Sequence, residues 1–376
     1  MSASAQTEGG ASRLLSLDAF RGLTVAGMVL VNNPGTWAHI YWPLEHAEWD
    51  GWTPTDFVFP FFLFIVGVSI TLSFARRVEK GADDWALFKN VLRRSLIIFG
   101  LGLLLSGFPF YNLHTIRIPG VLQRIAVCYF IASIIFIKTR WRTQAIIGVF
   151  LLFIYWIIMK TIQVPGYGIG DLSRQSNLAA YLDRTVFGRH TWKPDYDPEG
   201  ILSTIPAIVT TLCGIMTGHL IRSKRTPLEK VVIMFVAGMA GVVTGWAWDA
   251  WFPINKALWT SSYVLFTAGM ALQLLALFYW LIDVKGYKSW AKPFVVYGMN
   301  AIALFMLSGL AARVMGLITI NRADGSSTSL QGFIYQTLFQ SWLQPINASL
   351  AFAVCYVLVW LFLMWLLYRK NIFIKV

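Results

Sequence analysis

Residues 42–64 read WPLEHAEWDGWTPTDFVFPFFLF, in which one histidine, four carboxylates and three tryptophans precede an apolar run of membrane-spanning length. The titratable groups are Glu45, His46, Glu48, Asp50 and Asp56, with Asn32 a short way upstream. A histidine exchanges a proton near neutral pH or attacks a carbonyl carbon, so His46 suits acyl transfer as general base or as transient nucleophile. An equally simple reading makes His46 an interfacial histidine paired with a neighbouring carboxylate, and Trp42, Trp49 and Trp52 an aromatic belt. A single histidine among scattered carboxylates lacks the paired-histidine spacing of a zinc site, so no metal is expected.

The elements that hold this stretch are membrane helices. Of the 376 residues 57% are hydrophobic and 15% aromatic, well above soluble usage. Apolar runs recur at about the 20-residue length that one helical crossing needs. Ten spans are expected, at 19–33, 56–74, 93–109, 119–137, 144–160, 201–221, 228–248, 259–281, 291–316 and 346–368. The fold class is therefore an all-α polytopic membrane bundle, with 1–13 a flexible tail and 14–376 one transmembrane domain. Span 1 reads as a retained helix and not as a removed signal peptide.

Lys and Arg cluster in alternate loops, as in Arg76, Arg77, Lys80, Lys89, Arg93 and Arg94 between spans 2 and 3, and Lys138, Arg140 and Arg142 between 4 and 5. The other short loops hold almost none: Arg117 follows span 3, Lys256 span 7 and Arg322 span 9. Cytoplasmic loops retain positive charge, so both termini are expected in the cytoplasm and Asn32, His46 and Asp56 at the outer boundary. The net charge of +13 is on this reading a topology signal, and no nucleic-acid partner is expected. Cys128, Cys213 and Cys355 all fall inside expected spans, which argues against a structural disulfide.

Two outer loops are long. Residues 161–199 are rich in Gly, Pro, Tyr and Asp, and the loop at 318–345 contains GFIYQTLFQSWL, whose apolar spacing suggests a short helix on the membrane surface. Pro60 reads as a break inside span 2, either a packing kink or the edge of a cavity beside Asp56. Arg93 and Arg94 border the inner end of span 3, as topology determinants or as partners for a phosphate-bearing ligand. Arg124 lies within the outer part of the membrane in IRIPGVLQRIAVCYF with Arg117 and Gln123, and requires a partner such as Asp56 or Asp18. Asp197 and Glu199 in YDPEG serve either to anchor the following helix or to contact a cationic ligand.

The chain resembles the heparan-alpha-glucosaminide N-acetyltransferase family, including its bacterial members. The resemblance rests on RLLSLDAFRGLTVAGMVLVN, HAEWDGWTPTDFVFPFFLFIVGVSI, IRIPGVLQRIAVCYF, YDPEGILSTIPAI, NKALWTSSYVLFTAGM, YGMNAIALF and YRKNIFIKV, in this order from residue 13 to the end. It implies a transmembrane transfer of acetyl from cytoplasmic acetyl-CoA to the amine of a terminal glucosamine on the far side. The family's catalytic histidine carries over to His46 and its companion asparagine to Asn32; Asp56 completes the catalytic set expected here. Arg93, Arg94, Arg117, Gln123 and Arg124 are expected at the acetyl-CoA, and Glu45, Trp49, Asp197 and Glu199 at the amino sugar. The segment between Asn32 and His46 reads as longer than in the animal members, and their long N-terminal region has no counterpart here. The expected setting is a bacterial inner membrane, with membrane lipids as surroundings and a homodimer as the default assembly. The rival readings are an inner-membrane transporter of amino sugar or N-acetylglucosamine, and an acyltransferase for another extracytoplasmic acceptor.

Overall fold

The computed structural model describes residues 14–79, 81, 83–322 and 325–374, so the tail expected to be flexible at 1–13 lies outside the described residues, as does the side chain of Arg76. Thirteen helices are described, and one small antiparallel hairpin pairs Thr319–Asn321 (β1) with Ser327–Ser329 (β2). In order, the helices are α1 Leu15–Asn32, α2 Val58–Glu79, α3 Asp84–Gly107, α4 Val121–Lys138, α5 Trp141–Thr161, α6 Leu178–Phe187 and α7 Ile201–Arg222. They continue with α8 Pro227–Asp249, α9 Ser261–Phe278, α10 Lys292–Met299, α11 Ala301–Leu317, α12 Leu330–Tyr335 and α13 Pro345–Arg369.

The sequence signals that start these helices are local. Asp83 accepts from the Ala86 N–H ahead of α3, Asn177 from the Ala180 N–H ahead of α6, and Thr226 forms a reciprocal cap with Glu229 ahead of α8. Pro54 opens a short 3₁₀ turn, Pro54–Phe57, that leads directly into α2. Pro60 therefore stands in the first turn of α2, where its missing N–H breaks no ladder, and the break expected inside span 2 does not occur. A proline inside a helix is found instead at Pro206 of α7.

Eight described helices are long and apolar enough to cross a membrane, or nine if α10 and α11 count as one bent span. Nine of the ten expected spans fall on these helices. The remaining one, at 93–109, corresponds to α3, which carries Asp84, Lys89, Arg93 and Arg94 along its first half. The expected span 291–316 is not continuous either: it bends by 81° at Asn300, between α10 and α11. The Asn300 carboxamide at the break donates to the Ile372 carbonyl and accepts from the Ile374 N–H, so it satisfies backbone groups of the C-terminal segment that follows α13.

The centre of the bundle is set by close backbone contact between α2 and α7. A Cβ built on Gly67 would lie 1.9 Å from the Thr211 carbonyl oxygen, and one on Gly214 2.0 Å from that of Phe64. Small residues of this kind let two apolar helices pack without a hydrophobic driving force between them. Trp259, just before α9, is buried in the same core with its ring edge-on to Phe59 at 5.0 Å and to Tyr263 at 5.4 Å. The Tyr263 hydroxyl donates to the Asp56 carbonyl oxygen at 2.5 Å, which ties the core to the stretch that begins α2.

The 161–199 loop is more ordered than its composition suggests, because α6 occupies its middle. Its flanks reach back over the start of α2: Trp49 Nε1 donates to the Leu172 carbonyl at 2.9 Å, and Arg174 to the Glu48 carbonyl at 2.6 Å. The apolar segment of the other long loop forms α12 followed by a π turn, Gln336–Gln340.

Candidate active site

Asp56 is the third residue of the 3₁₀ turn, and its burial there follows from capping. Its Oδ2 accepts from the Thr53 N–H at 3.0 Å and the Ala47 N–H at 3.1 Å, which folds 46–53 back over the turn. The other oxygen, Oδ1, is left facing His46 Nδ1 at 2.7 Å. Asp56 is 1% exposed and the His46 side chain 50% exposed, so a buried carboxylate holds an imidazole that opens outward. With Nδ1–H given to Asp56, the lone pair of Nε2 is directed away from the carboxylate and is available as base or nucleophile.

The imidazole borders a cavity of about 540 Å³. Asn32 and Met28 from α1, Asp56 from the 3₁₀ turn, Phe59 from α2, Val121 from α4 and Phe305 from α11 line it, with Trp49, Trp192, Tyr196 and Glu199 from the connecting segments 33–53 and 188–200. The Asn32 carboxamide is exposed and has no hydrogen-bond partner among the described residues. The Trp49 and Tyr196 rings meet edge to face at 5.4 Å, Trp192 and Tyr196 at 5.9 Å, and the Arg174 guanidinium lies 5.3 Å from both the Trp49 and Tyr196 rings. Such an aromatic wall offers apolar faces with polar edges, a surface suited to a ring with both characters.

Arg117, Asp197 and Glu199 are brought together, but with one another. Arg117 donates in fork geometry to both Asp197 oxygens, at 2.9 and 2.6 Å, and also to Glu199. Burial by itself would lower the Arg117 pKa; Glu199 and Asp197 outweigh it and raise it further above the ordinary arginine value. Arg117, expected at the acetyl-CoA, and the two carboxylates expected at the sugar thus form one ion cluster on the His46 side.

Three other expectations are also corrected. Arg124 pairs with neither Asp56 nor Asp18: its guanidinium donates to the Gly200 carbonyl and the Ser203 hydroxyl and lies over the Trp259 ring at 5.2 Å. Gln123 faces α3, bonding Ser106 at 3.4 Å in the gap that Gly102 and Gly120 leave, and is no part of the cavity wall. The Glu45 side chain is exposed and outside the cavity lining, where Glu48 stands instead.

Lys256 was legible only as an isolated cation in a cation-poor outer loop, and the structure puts it in the site. Its Nζ lies 2.9 Å from His46 Nδ1, 3.2 Å from Nε2 and 3.3 Å from Asp56 Oδ1. Burial pulls the Lys256 pKa below the usual lysine value, opposed by the charges of Asp56 and Glu199.

A second cavity, of about 420 Å³, lies toward the opposite ends of the same helices. Arg21 of α1, Ser69, Ser73 and Arg77 of α2, Arg94 of α3, Tyr129 of α4 and Ala301 and Ile302 of α11 are in its wall. On α2 the lining passes from Asp56 and Phe59 to Phe62, Val66, Ser69 and Ser73, at helical spacing, so one face serves both cavities. Asp56 and Ser73 are about 25 Å apart at the α-helical rise. The expected arginine pair divides here: Arg94 lines the cavity with its guanidinium 4.9 Å from the Tyr129 ring and its buried Nε unpartnered, while Arg93 is exposed on the other face.

The family model described as heparan-alpha-glucosaminide N-acetyltransferase, catalytic, matches residues 13–237. The heparan-alpha-glucosaminide N-acetyltransferase of Homo sapiens is 31% identical over 354 residues, covering 78% of this chain and 52% of that protein. The Mus musculus protein of the same name is 30% identical over 355 residues, covering 79% and 53%. The chain spans about half the length of these curated relatives. The matched region holds Asn32, His46, Asp56, Arg94, Arg117, Asp197 and Glu199, and the chain belongs to the heparan-alpha-glucosaminide N-acetyltransferase catalytic family.

Proposed function

We propose that this protein is a transmembrane acetyltransferase, moving the acetyl group of cytoplasmic acetyl-CoA to the amine of glucosamine or a terminal glucosaminide on the outer side of a bacterial inner membrane. The observation that carries the reading is the pairing of two cavities along the same helix faces, one holding His46 and Asp56, the other Arg21, Arg77 and Arg94. Neither charged CoA nor a polar sugar crosses hydrocarbon at low cost, so a bundle that receives each from its own side passes only the acetyl group.

The arginine cavity suits the phosphates of CoA. Arg94 has a buried donor without a partner, and α11 begins in the cavity wall, where its first N–H groups favour an anion. The thioester arm then extends along the shared face of α2 toward His46. In direct transfer His46 Nε2 takes the proton of the attacking amine; in a two-step route Nε2 is acetylated first and the amine then displaces it. Asn32, with its free carboxamide, steadies the oxyanion in either route. Trp49, Trp192 and Tyr196 offer faces to the sugar ring, and Glu48 is a lining carboxylate that neither Arg117 nor His46 engages.

On this reading both termini face the cytoplasm, lipids cover the apolar faces, and a homodimer is the default assembly. The test is acetylation of glucosamine by purified protein given acetyl-CoA, in wild type and His46→Ala. Product from wild type alone, with acetyl-CoA still bound by the variant, is the expected result. Sugar uptake into proteoliposomes without acetyl-CoA, and no acetylated product, would sink the reading in favour of transport.

A further inference from the structure

We infer that Lys256 is a catalytic residue of this site, its ammonium contacting the acyl carbonyl oxygen as that oxygen becomes the tetrahedral oxyanion. The inference rests on the acyl-transfer reading and names a second donor beside Asn32.

The geometry begins with His46. Its Nδ1 is committed to Asp56 at 2.7 Å, so acyl chemistry falls to Nε2, and Lys256 Nζ lies at the ring between the two nitrogens, 2.9 Å from Nδ1 and 3.2 Å from Nε2, with Asp56 Oδ1 at 3.3 Å. A carbonyl carbon attacked at Nε2, or by an amine whose proton Nε2 accepts, has its oxygen within reach of the same ammonium. The neighbouring cation Arg117 is engaged by Asp197 and Glu199, which leaves Lys256 as the lining cation beside the imidazole.

Lys256 is also held in place before any ligand arrives. The Asn255 N–H donates to Thr260 Oγ1 at 3.1 Å, its carboxamide donates to Asp50 at 3.1 Å and accepts from the Leu258 N–H at 2.9 Å. The Trp259 N–H closes a turn onto the Lys256 carbonyl at 3.1 Å, and its indole N–H bonds Thr210 at 3.0 Å. A donor fixed this way needs little reorganisation when charge develops, which is the condition for oxyanion stabilisation.

In the direct route the amine nitrogen bonds the thioester carbon and the carbonyl electron pair moves to oxygen beside Nζ, while the amine proton passes to Nε2. The oxyanion pair then reforms the carbonyl and breaks the C–S bond, and the departing thiolate takes the proton from the imidazolium. Acetyl and proton are conserved, and Lys256 begins and ends as ammonium.

A merely positioning Lys256 would hold Asp56 and contribute nothing to the reacting carbonyl. The experiment is acylation of His46 by diethyl pyrocarbonate, which forms a tetrahedral oxyanion at the same nitrogen without CoA or sugar. It is followed by mass spectrometry of the His46 peptide at a pH above imidazole titration, in wild type, Lys256→Met, Lys256→Gln and Lys256→Arg. Expected is a slowing of about tenfold or more in the neutral variants, with Arg restoring most of the rate. A neutral variant that folds and acylates at the wild-type rate overturns the inference, as does an Arg variant no faster than Met. A wild type whose His46 acylates with the reagent but which transfers nothing from acetyl-CoA overturns the proposed function instead, and Lys256 is then judged on the reagent alone.

Discussion

His46 Nδ1 and Asp56 Oδ1 are 2.7 Å apart, and the carboxylate in that contact is buried while the imidazole is half exposed. The oxygen that faces His46 is not the one that caps the 3₁₀ turn ahead of α2, so positioning of the turn and orientation of the ring are divided between the two oxygens of one side chain. Replacing Asp56 by Asn keeps the shape but lets the amide nitrogen face the ring, which favours the wrong tautomer. We expect Asp56→Asn to lower kcat for acetyl transfer by about 10³- to 10⁴-fold with acetyl-CoA affinity retained. Activity within a few-fold of wild type would reduce Asp56 to a cap.

The Arg117 cluster makes a prediction about stability. Asp197 is fully buried at its carboxylate and Glu199 nearly so, hence Arg117→Ala strands two charges. The expected cost is about 3–5 kcal/mol, read as a lowered Tm of the detergent-solubilised protein. Arg117→Ala with an unchanged Tm would show that the cluster is not holding the 107–121 and 188–200 segments together.

Adjacent arginines on α3 should behave oppositely. Arg94 faces the second cavity, Arg93 the outside of the bundle. Loss of one charge-assisted contact to phosphate should weaken acetyl-CoA binding by about tenfold to a hundredfold in Arg94→Met. Arg93→Met should leave it near wild type. Equal effects of the two substitutions, measured by calorimetry, would remove the phosphate role from this cavity.

Asp183 of α6 supplies a pH dependence. It is buried, accepts from the Ile201 N–H at 2.8 Å at the start of α7, and its pKa is pushed up to about 7. Burial is the main cause, aided by Asp197 and opposed by the Ile201 hydrogen bond and by Arg124 and Arg184. Between the ordinary carboxylate range and about 7 the folded protein therefore holds a proton that the unfolded chain has lost, so stability falls as pH rises through this window and levels off above it. The loss is on the order of 4 kcal/mol. Asp183→Asn should flatten the decline in Tm between pH 5 and about 7.5. A wild-type decline that persists unchanged in the variant would assign it to another group.

The apolar runs, the capping residues and the order of short stretches determined the helical class and most of the helix positions, because those properties depend on short-range composition and order; the family-like stretches marked His46 and Asn32 as candidates. Long-range pairings did not follow. Arg124 carries a charge at membrane depth, which required a partner, but only the packing of α4 on α7 chose Gly200 and Ser203 over Asp56. Arg93 and Arg94 differ by one residue, hence by about 100° around a helix, and it is the placement of α3 that decided which one reaches a cavity. Lys256 is 210 positions from His46, a separation across which no spacing rule operates, and the two meet because the turn before α9 folds onto the turn that begins α2. The sequence by itself therefore determined which groups are available for chemistry; the tertiary structure decided which of them share a cavity, since contact between distant residues is set by helix packing and by the carboxylates that claim each cation first.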